Sequence, residues 1–241
     1  MEETKIPNVY AVILAGGAGT RMNTPTPKQF LMLGDAPVFV HAARKFLDDA
    51  RVKQLWIGAN GDWYDLARQQ ADEFIGDERV RMCEGGADRE ATLLNTLNAI
   101  CAHNGAGPDD IVLIHDSVRP FVTGRIIGEV IREMEFCDAC NTVVPVNDTI
   151  VQSADGKTIS GMPARRELFA GQSPQGFRIR PLLNAFESLT PEERKQLTET
   201  TKACFLKNIS IHIVRGEFFN FKITTPYDWH VAQSILDWLG Q

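Results

Sequence analysis

The sequence predicts one α/β domain built on a Rossmann-like, doubly wound and mostly parallel sheet, from which a β-hairpin arm projects. Short β-branched runs alternate four times with segments of helical periodicity, which is typical of parallel strands joined by right-handed crossovers. The chain has 241 residues, of which 44% are hydrophobic, and this is enough to bury a sizeable core. Because no linker or internal repeat divides residues 1–241, we expect a single domain.

The alternation of strand and helix is clearest in the first half of the chain. Pro37 stands where a proline would begin the first turn of a helix, ahead of apolar residues at helical spacing over 38–47. A second helix is predicted after Asp62, and Asp88 can cap a third. The strands between these helices are predicted at Val9–Leu14, Gln54–Ala59, Arg79–Cys83 and Ile111–Ile114.

A hairpin signal follows the fifth predicted strand, Ala139–Val146. Two short β-rich runs flank Asp155 and Gly156, and an Asp-Gly pair between such runs is typical of a hairpin turn. We therefore predict that residues 147–163 form a projecting arm. An arm of this kind needs a surface to pack on, and a second copy of the chain is the simplest one, so we expect a homodimer.

The end of the chain is predicted to return to the sheet and then close with a helix. Ile209–Val214 has the pattern of a late strand. Thr225, Pro226 and Asp228 fit an N-cap, a first-turn proline and an acid in the third helical position.

Composition and charge exclude several classes of protein. There are 25 Lys and Arg against 31 Asp and Glu, and a net charge of -6 argues against a nucleic-acid partner. No apolar run approaches the roughly 18 residues that span a bilayer, so no membrane insertion is expected. Met1–Pro7 is polar and lacks a secretory core, and we expect a cytoplasmic protein.

Cys137 and Cys140 form a C-x-x-C pair, which we interpret as structural, with a redox or half-zinc site as the alternative.

A glycine-rich turn, Ala15–Gly19, follows the first strand and precedes Arg21 and Lys28. Glycines at such a place let backbone N–H groups approach phosphate oxygens. The turn lacks the Gly-Lys-Ser/Thr of a Walker loop, and Met22 stands where the dinucleotide fingerprint has its third glycine. This disfavours a NAD-dependent oxidoreductase. The alternative to a phosphate loop is a tight turn with incidental surface cations.

Asp116 comes just past the end of the fourth strand. Open α/β sheets bind ligands at that edge, and a carboxylate there is a natural Mg²⁺ ligand. The alternative is that Asp116 caps the turn that follows. The neighbouring His115 has no partner signature and is given no catalytic role, because a histidine at a strand end is more often packed and hydrogen-bonded.

Taken together, the motifs resemble one family of cytidylyltransferases, which includes the methylerythritol-phosphate and ribitol-5-phosphate enzymes. The similarity covers nearly the whole chain. Within the family, details such as the segment 60–63 and the run Asp116-Ser117-Val118-Arg119, where methylerythritol enzymes usually show Asp-Ala-Ala-Arg, favour the ribitol branch. The matching segments are 14–22 with 27–29, 85–89, 115–120, 145–149, 173–175 and 222–224.

The resemblance implies that CTP and D-ribitol 5-phosphate react to give CDP-ribitol and pyrophosphate, by Mg²⁺-assisted in-line attack on the α-phosphorus. Such a reaction asks the protein for positioning and charge stabilisation, with no covalent intermediate. The ribitol branch implies a role in making a wall or capsule polymer. The alternative acceptor is methylerythritol 4-phosphate, used in isoprenoid synthesis. A catalytically inactive nucleotide-binding module is the alternative from a different class.

The resemblance also implies roles for individual residues. The expected catalytic residues are Arg21, Lys28 and Lys222, and the expected metal ligand is Asp116. The expected nucleotide-binding residues are Leu14, Ala15, Gly16, Gly17, Gly19, Gly86, Asp88, Arg89, Thr92 and Ser117. The expected acceptor-binding residues are Thr149, Arg165 and Ser173, of which the first two would be presented by the arm to the neighbouring subunit. The segment 198–202 departs from the family pattern and receives no role.

Overall fold

The computed structural model describes residues 7–17, 24–105, 107 and 109–239. Its strands are β1 Val9–Leu14, β2 Met32–Leu33, β3 Ala36–Pro37, β4 Val52–Ala59, β5 Val80–Glu84, β6 Ile111–Asp116, β7 Ala139–Pro145, β8 Phe169–Arg178 and β9 Ile211–Arg215. Its helices are α1 Val38–Leu47, α2 Tyr64–Phe74, α3 Arg89–Asn104, α4 Gly124–Glu133, α5 Ile179–Glu187, α6 Pro191–Arg194, α7 Thr200–Leu206 and α8 Pro226–Leu239.

The described residues form a seven-stranded sheet in the order β5-β4-β1-β6-β8-β7-β9. Within it β1 pairs in parallel with both β4 and β6, while β8 runs antiparallel to both β6 and β7. Strands β2 and β3 form a separate two-stranded sheet. The predicted α/β class and the mostly parallel sheet are thus confirmed.

The core has two main layers because successive side chains of a strand point to opposite faces. From β1, Ala11 and Ile13 pack into the layer that contains Phe39 and Phe46 of α1. Tyr10 and Val12 face the other layer, together with α3 and α5. Since both faces of β1 are covered, the strand reads as a continuous apolar run.

Strand β8 and helices α5 to α7 were not predicted from the sequence. In β8, Pro174 cannot donate a ladder hydrogen bond and Gly176 has low β-propensity, so the segment does not look like a strand. Gly176 is required there because a Cβ atom would lie 2.8 Å from Val130 of α4 and 2.9 Å from Cys140 of β7.

Two predicted helix starts are confirmed. The Asp88 carboxylate accepts a hydrogen bond from the Ala91 N–H (2.8 Å), so it caps α3. At α8, the backbone N–H of Thr225 donates to Asp228 Oδ2 (2.7 Å) and the Asp228 N–H donates to Thr225 Oγ1 (3.3 Å). Pro37 differs from its prediction: it ends β3 and precedes the first residue of α1, because its extended backbone pairs with Met32.

The segment 147–163 contains the predicted turn but only a short ladder. Gln152 and Gly161 form a single antiparallel bridge. The Asp155 carboxylate accepts hydrogen bonds from the N–H groups of Lys157 and Thr158 (both 2.8 Å), and Gly156 has a positive φ of 68°. All side chains from residue 147 to residue 160 are exposed. The segment therefore has little contact with the rest of the described chain.

The cysteine pair fits the structural interpretation. Cys140 is buried and its thiol lies 3.7 Å from Met134 Sδ, whereas Cys137 donates to the Glu133 carbonyl (3.3 Å). The described residues contain no group of three His, Cys, Asp or Glu side chains that could hold a metal ion. They also contain no helix long and apolar enough to cross a membrane.

Candidate active site

A cavity of about 390 Å³ opens at the carboxyl ends of β1, β4 and β6. Leu14 pairs with Gly58 on one side and with Asp116 on the other, so the loops that leave these strands meet at one edge of the sheet. This is the edge where open α/β sheets bind ligands. The cavity is lined by residues from six segments: Leu14, Gly16, Gly17, Lys28, Gln29, Asn60, Ala87, Asp88, Arg89, Thr92, Asp116, Ser117, Val118 and Lys222.

The loop after β1 is held in place by Gln29. Its side-chain amide donates to the carbonyl oxygens of Ala15 (2.8 Å) and Gly17 (2.7 Å). Gly16 is packed against α3, because a Cβ atom there would come within 2.8 Å of Thr92 Oγ1. The described part of the glycine loop therefore presents backbone to the cavity in a fixed position.

The second wall of the cavity is the loop between β5 and α3. Thr92 Oγ1 accepts a hydrogen bond from the Gly86 N–H (3.1 Å) and donates to the Asp88 carbonyl (2.8 Å). Gly86 cannot carry a side chain, since a Cβ atom would collide with Ala91. The Thr92 hydroxyl thus shapes the loop rather than offering a free donor to a ligand.

Asp116 stands at the end of β6 among three cations from different parts of the chain. Its carboxylate lies 3.3 Å from Arg89 Nη2, 3.1 Å from Lys222 Nζ and 3.5 Å from Arg119 Nε. Burial alone would raise the pKa of this carboxyl, but the charges of Arg89, Lys222 and Arg119 hold it well below its usual range. Asp116 is therefore ionised, with excess positive charge around it.

His115 and Ser173 support Asp116 through a chain of hydrogen bonds. Ser173 Oγ accepts from the Asp116 N–H (3.1 Å) and lies 3.0 Å from His115 Nδ1, while His115 Nε2 lies 3.0 Å from the Arg119 carbonyl. Because a carbonyl can only accept, Nε2 carries the proton and Ser173 donates to Nδ1. Burial lowers the pKa of His115 to about 4. The histidine is a packed, neutral, hydrogen-bonded side chain, as the sequence suggested.

A smaller cavity of about 180 Å³ adjoins the first on the far side of Asp116. Arg89, Asp116 and Lys222 line both cavities. The smaller cavity is further lined by Arg119, Gly171, Gln172, Ser173, Gln175, Thr198 and Glu199. The two cavities thus share one carboxylate and the cations around it. Such an arrangement suits two phosphate-bearing ligands, one in each cavity, whose phosphate groups lie side by side at Asp116.

The structure brings together most of the residues predicted for the site, and their roles stay predictions. Ala15 and Gly86 belong to the two wall loops, and Ser173 lines the smaller cavity. Thr149 and Arg165 lie away from both cavities on the exposed arm and beside it, where Arg165 donates to the Asn147 carbonyl (2.9 Å). Gly19 and Arg21 fall outside the described residues.

Several residues that line the two cavities were not predicted for the site, and Gln29, Asn60 and Glu199 are three of them. Gln29 follows Lys28 in a motif that the resemblance rests on, so its place in that motif was the available signal. Asn60 follows β4 and accepts from the Asp62 N–H (3.1 Å), as an N-cap does. Glu199 carries no such signal, because it reaches the site only through the packing of α7.

Comparisons with known proteins identify the family of the chain. The sequence model of the family described as 2-C-methyl-D-erythritol 4-phosphate cytidylyltransferase matches residues 9–238. The chain belongs to this cytidylyltransferase family. It is 42% identical over 230 residues to a ribitol-5-phosphate cytidylyltransferase of Lactiplantibacillus plantarum, covering 95% of this chain and 98% of the relative. A ribitol-5-phosphate cytidylyltransferase of Streptococcus pneumoniae is 40% identical over 232 residues, covering 95% and 99%.

Solved structures support the fold. The crystal structure of 4-diphosphocytidyl-2C-methyl-D-erythritol synthase from Anaerococcus prevotii superposes with a TM-score of 0.79. It is 21% identical in sequence and covers 96% of this chain and 99% of its own. Membership of the family makes the chain a nucleotidyltransferase, and this sets aside the NAD-dependent oxidoreductase.

A divalent cation is associated with this family, and the residues at Asp116 fit one. A hard cation that travels with phosphates is bound by one or two carboxylates, with the remaining ligands supplied by phosphate oxygens and water. Asp116 is ionised and borders both cavities. The described residues contain no group of three His, Cys, Asp or Glu side chains at this place, so phosphate oxygens and water would have to supply most of the ligands.

We predict that His115 makes the stability of the fold depend on pH. The unfolded histidine titrates near pH 6.5 and the folded one near pH 4, so between these values the unfolded chain binds more protons. The free energy of unfolding should therefore fall as pH falls, by roughly 2–3 kcal/mol between pH 7 and 4.5 from this group. Urea unfolding of the wild type and of His115→Gln, repeated between pH 7 and 4.5, measures this free energy. If the free energy of unfolding changes with pH to the same extent in both proteins, His115 is not the cause of the pH dependence.

Proposed function

We propose that this chain transfers the cytidylyl group of CTP to D-ribitol 5-phosphate, forming CDP-ribitol and releasing pyrophosphate. The observation that carries the proposal is the shared position of Asp116 and its cations between two adjoining cavities. One cavity is bounded by the glycine loop and suits the nucleotide, while the other suits a small phosphorylated acceptor. The relatives that are 40–42% identical over 95% of the chain carry the ribitol name, which favours that acceptor.

On the nucleotide side, the proposed work is positioning and charge stabilisation. Lys28 is 5% exposed and lines the larger cavity, where its ammonium would hold the triphosphate together with Arg21. The backbone of Ala15–Gly17 and the loop at Gly86 and Asp88 would hold the cytosine and ribose. Because both walls are fixed by side-chain hydrogen bonds, a larger purine would be rejected by lack of space.

On the acceptor side, Lys222 and Arg119 would hold the attacking phosphate near the α-phosphorus of CTP. Lys222 lines both cavities and would neutralise charge that accumulates on both phosphates in the transition state. Asp116 would hold Mg²⁺, and when bound this ion supplies charge neutralisation between the phosphate oxygens. Arg89 contacts Asp116 and Thr200, so it would be a second cation at the junction.

The test of this function is pyrophosphate release by the purified protein with Mg²⁺. Each of CTP, UTP, ATP and GTP is paired with ribitol 5-phosphate or with methylerythritol 4-phosphate. We expect release with CTP and ribitol 5-phosphate, at least about tenfold faster than with any other pair. Release only with methylerythritol 4-phosphate would replace the proposed acceptor by its alternative, and no release at all would favour an inactive nucleotide-binding module.

In the same assay, Lys28→Ala should lower kcat/KM by a factor on the order of 10², because one preorganised cation is lost from the transition state. Lys45→Ala is the matched control, since Lys45 lies on α1, half-exposed and paired with Asp48. It should keep the activity of the wild type. A folded Lys28→Ala protein with nearly full activity would contradict the role of this residue.

We propose further that the chain acts as a homodimer through residues 147–163. The support is a set of exposed apolar side chains on and beside the arm, which include Val151 (47% exposed), Ile159 (64%) and Met162 (65%). A single chain leaves these groups in water, whereas a partner would cover them. The arm would then present Thr149 and Arg165 to the partner's acceptor site, where a guanidinium can hold a phosphate through two hydrogen bonds.

Sedimentation velocity at micromolar concentration tests the dimer. The wild type should sediment with twice the mass of one chain, and Ile159→Asp should shift it towards the monomer. Phe136→Asp is the matched control, because Phe136 is 74% exposed but lies between α4 and β7, outside the arm. A wild type that sediments as a monomer would refute the arm as a dimer contact.

A further inference from the structure

Glu199 places a second carboxylate in the smaller cavity, and its surroundings differ from those of Asp116. It is the residue before the first turn of α7, yet its side chain makes no capping hydrogen bond to that helix. Among the described residues Glu199 takes part in no ion pair within 4.0 Å, and the groups that donate hydrogen bonds to it are neutral, although its charge also acts on Arg119 through space. Asp116, in contrast, is surrounded by three cations. The cavity therefore has a cationic part and an acidic part.

The Glu199 carboxylate is held by three hydrogen bonds from different elements. Oε1 accepts from Thr201 Oγ1 (2.6 Å) and from Asn141 Nδ2 (3.4 Å), and Oε2 accepts from Gln175 Nε2 (3.1 Å). Asn141 and Gln175 are a cross-strand pair of β7 and β8, and both are buried. Their Nε2–Oδ1 hydrogen bond (3.2 Å) fixes them relative to each other. The carboxylate is therefore preorganised by the sheet.

One acceptor position of this carboxylate remains open among the described residues. A carboxylate has about four lone-pair sites, two on each oxygen. Both sites of Oε1 are used, whereas Oε2 has a single donor, Gln175. Space beside Oε2 depends on Gly171, because a Cβ atom there would lie only 3.2 Å from it. Gly171 also lines the smaller cavity, so the open position faces the space that the acceptor would occupy.

The charges of this cavity determine which end of an acceptor could lie there. A phosphate group would be repelled by Glu199 and attracted by Arg89, Arg119 and Lys222. A hydroxyl group, in contrast, donates well to a carboxylate, and such charge-assisted hydrogen bonds are about twice as strong as neutral ones. A phosphorylated polyol would thus lie with its phosphate at the cations and its hydroxyl tail at Glu199.

We propose that Glu199 accepts a hydrogen bond from a hydroxyl group of the polyol acceptor and thereby selects acceptors that carry a hydroxyl at that position. This inference rests on the proposed function and names a residue that determines acceptor specificity. Asn141 and Gln175 are positioning residues, because they act on the acceptor through Glu199. An acceptor without the matching hydroxyl would leave a half-buried carboxylate without its fourth hydrogen bond, and this is the basis of discrimination.

The test combines Glu199→Gln with deoxy analogues of ribitol 5-phosphate, each of which lacks one hydroxyl. With the wild type, one analogue should show a kcat/KM about 10- to 100-fold below that of ribitol 5-phosphate. Glu199→Gln should lower kcat/KM for ribitol 5-phosphate by a similar factor. With this variant, kcat/KM for the same analogue should lie less than about threefold below kcat/KM for ribitol 5-phosphate, because the hydrogen bond is already lost. The KM for CTP should stay within about twofold of the wild-type value, which also shows that the variant is folded.

Two further variants separate specificity from structure. Gly171→Ala should crowd Glu199 Oε2, because the new Cβ atom would lie 3.2 Å from it. The variant should therefore have a lower kcat/KM for ribitol 5-phosphate and an unchanged KM for CTP. Glu192→Gln is the matched control, since Glu192 lies exposed on α6 and pairs only loosely with Lys195 (4.0 Å). This variant should keep the wild-type kcat/KM for ribitol 5-phosphate and the wild-type KM for CTP.

The outcomes distinguish this inference from the proposed function. One contrary outcome is that Glu199→Gln keeps the wild-type kcat/KM for ribitol 5-phosphate, and another is that its kcat/KM falls by the same factor for ribitol 5-phosphate and for every analogue. In either case Glu199 does not recognise one hydroxyl group, so the inference is wrong and the proposed function stands. If the wild type does not use ribitol 5-phosphate, the proposed function fails. The same coupling, measured with methylerythritol 4-phosphate and its deoxy analogues, would then decide the role of Glu199.

Discussion

The site depends on one electrostatic arrangement, the carboxylate of Asp116 held among Arg89, Arg119 and Lys222. The three cations come from the start of α3, the loop after β6 and the segment between β9 and α8. A buried carboxylate without partners would be costly, and breaking such a pair is more costly still. These segments must therefore converge on the end of β6, and the two cavities on either side of Asp116 are the result.

This arrangement also explains how an acidic chain can serve phosphate ligands. The net charge of -6 is a property of the whole surface and is relevant to solubility and to broad polyanion binding. A nucleotide is affected by the local field instead, and three cations around a single carboxylate leave that field positive. Glu199 marks where this positive region ends within the smaller cavity. The acceptor would thus be oriented because the electrostatic potential changes from positive at the cations to negative at Glu199 within the same cavity.

The sequence was sufficient for the parallel half of the sheet, and the reasons are physical. Strands β1, β4 and β6 are buried over most of their length, and they therefore read as largely apolar runs between glycine turns and helix caps, whereas the edge strand β5 is only partly buried. Gly16, Asp88 and Asp116 could be placed because each lies at the end of a predicted strand or within a few residues of it. In β8, by contrast, buried Gln172, Ser173 and Gln175 hide the alternation of a strand, since their polarity is satisfied by distant partners. Glu199 was unpredictable for the same reason: its neighbours Asn141 and Gln175 lie 58 and 24 residues away.

We expect Asp116 to connect the nucleotide to a divalent cation at the junction of the two cavities. Isothermal titration calorimetry of CTP binding, with and without Mg²⁺, compares the wild type with Asp116→Asn. In the wild type, Mg²⁺ should tighten CTP binding by at least about tenfold. Most of this gain should be absent in the folded variant. An Asp116→Asn protein that keeps the full effect of Mg²⁺ would show that this carboxylate does not hold the ion.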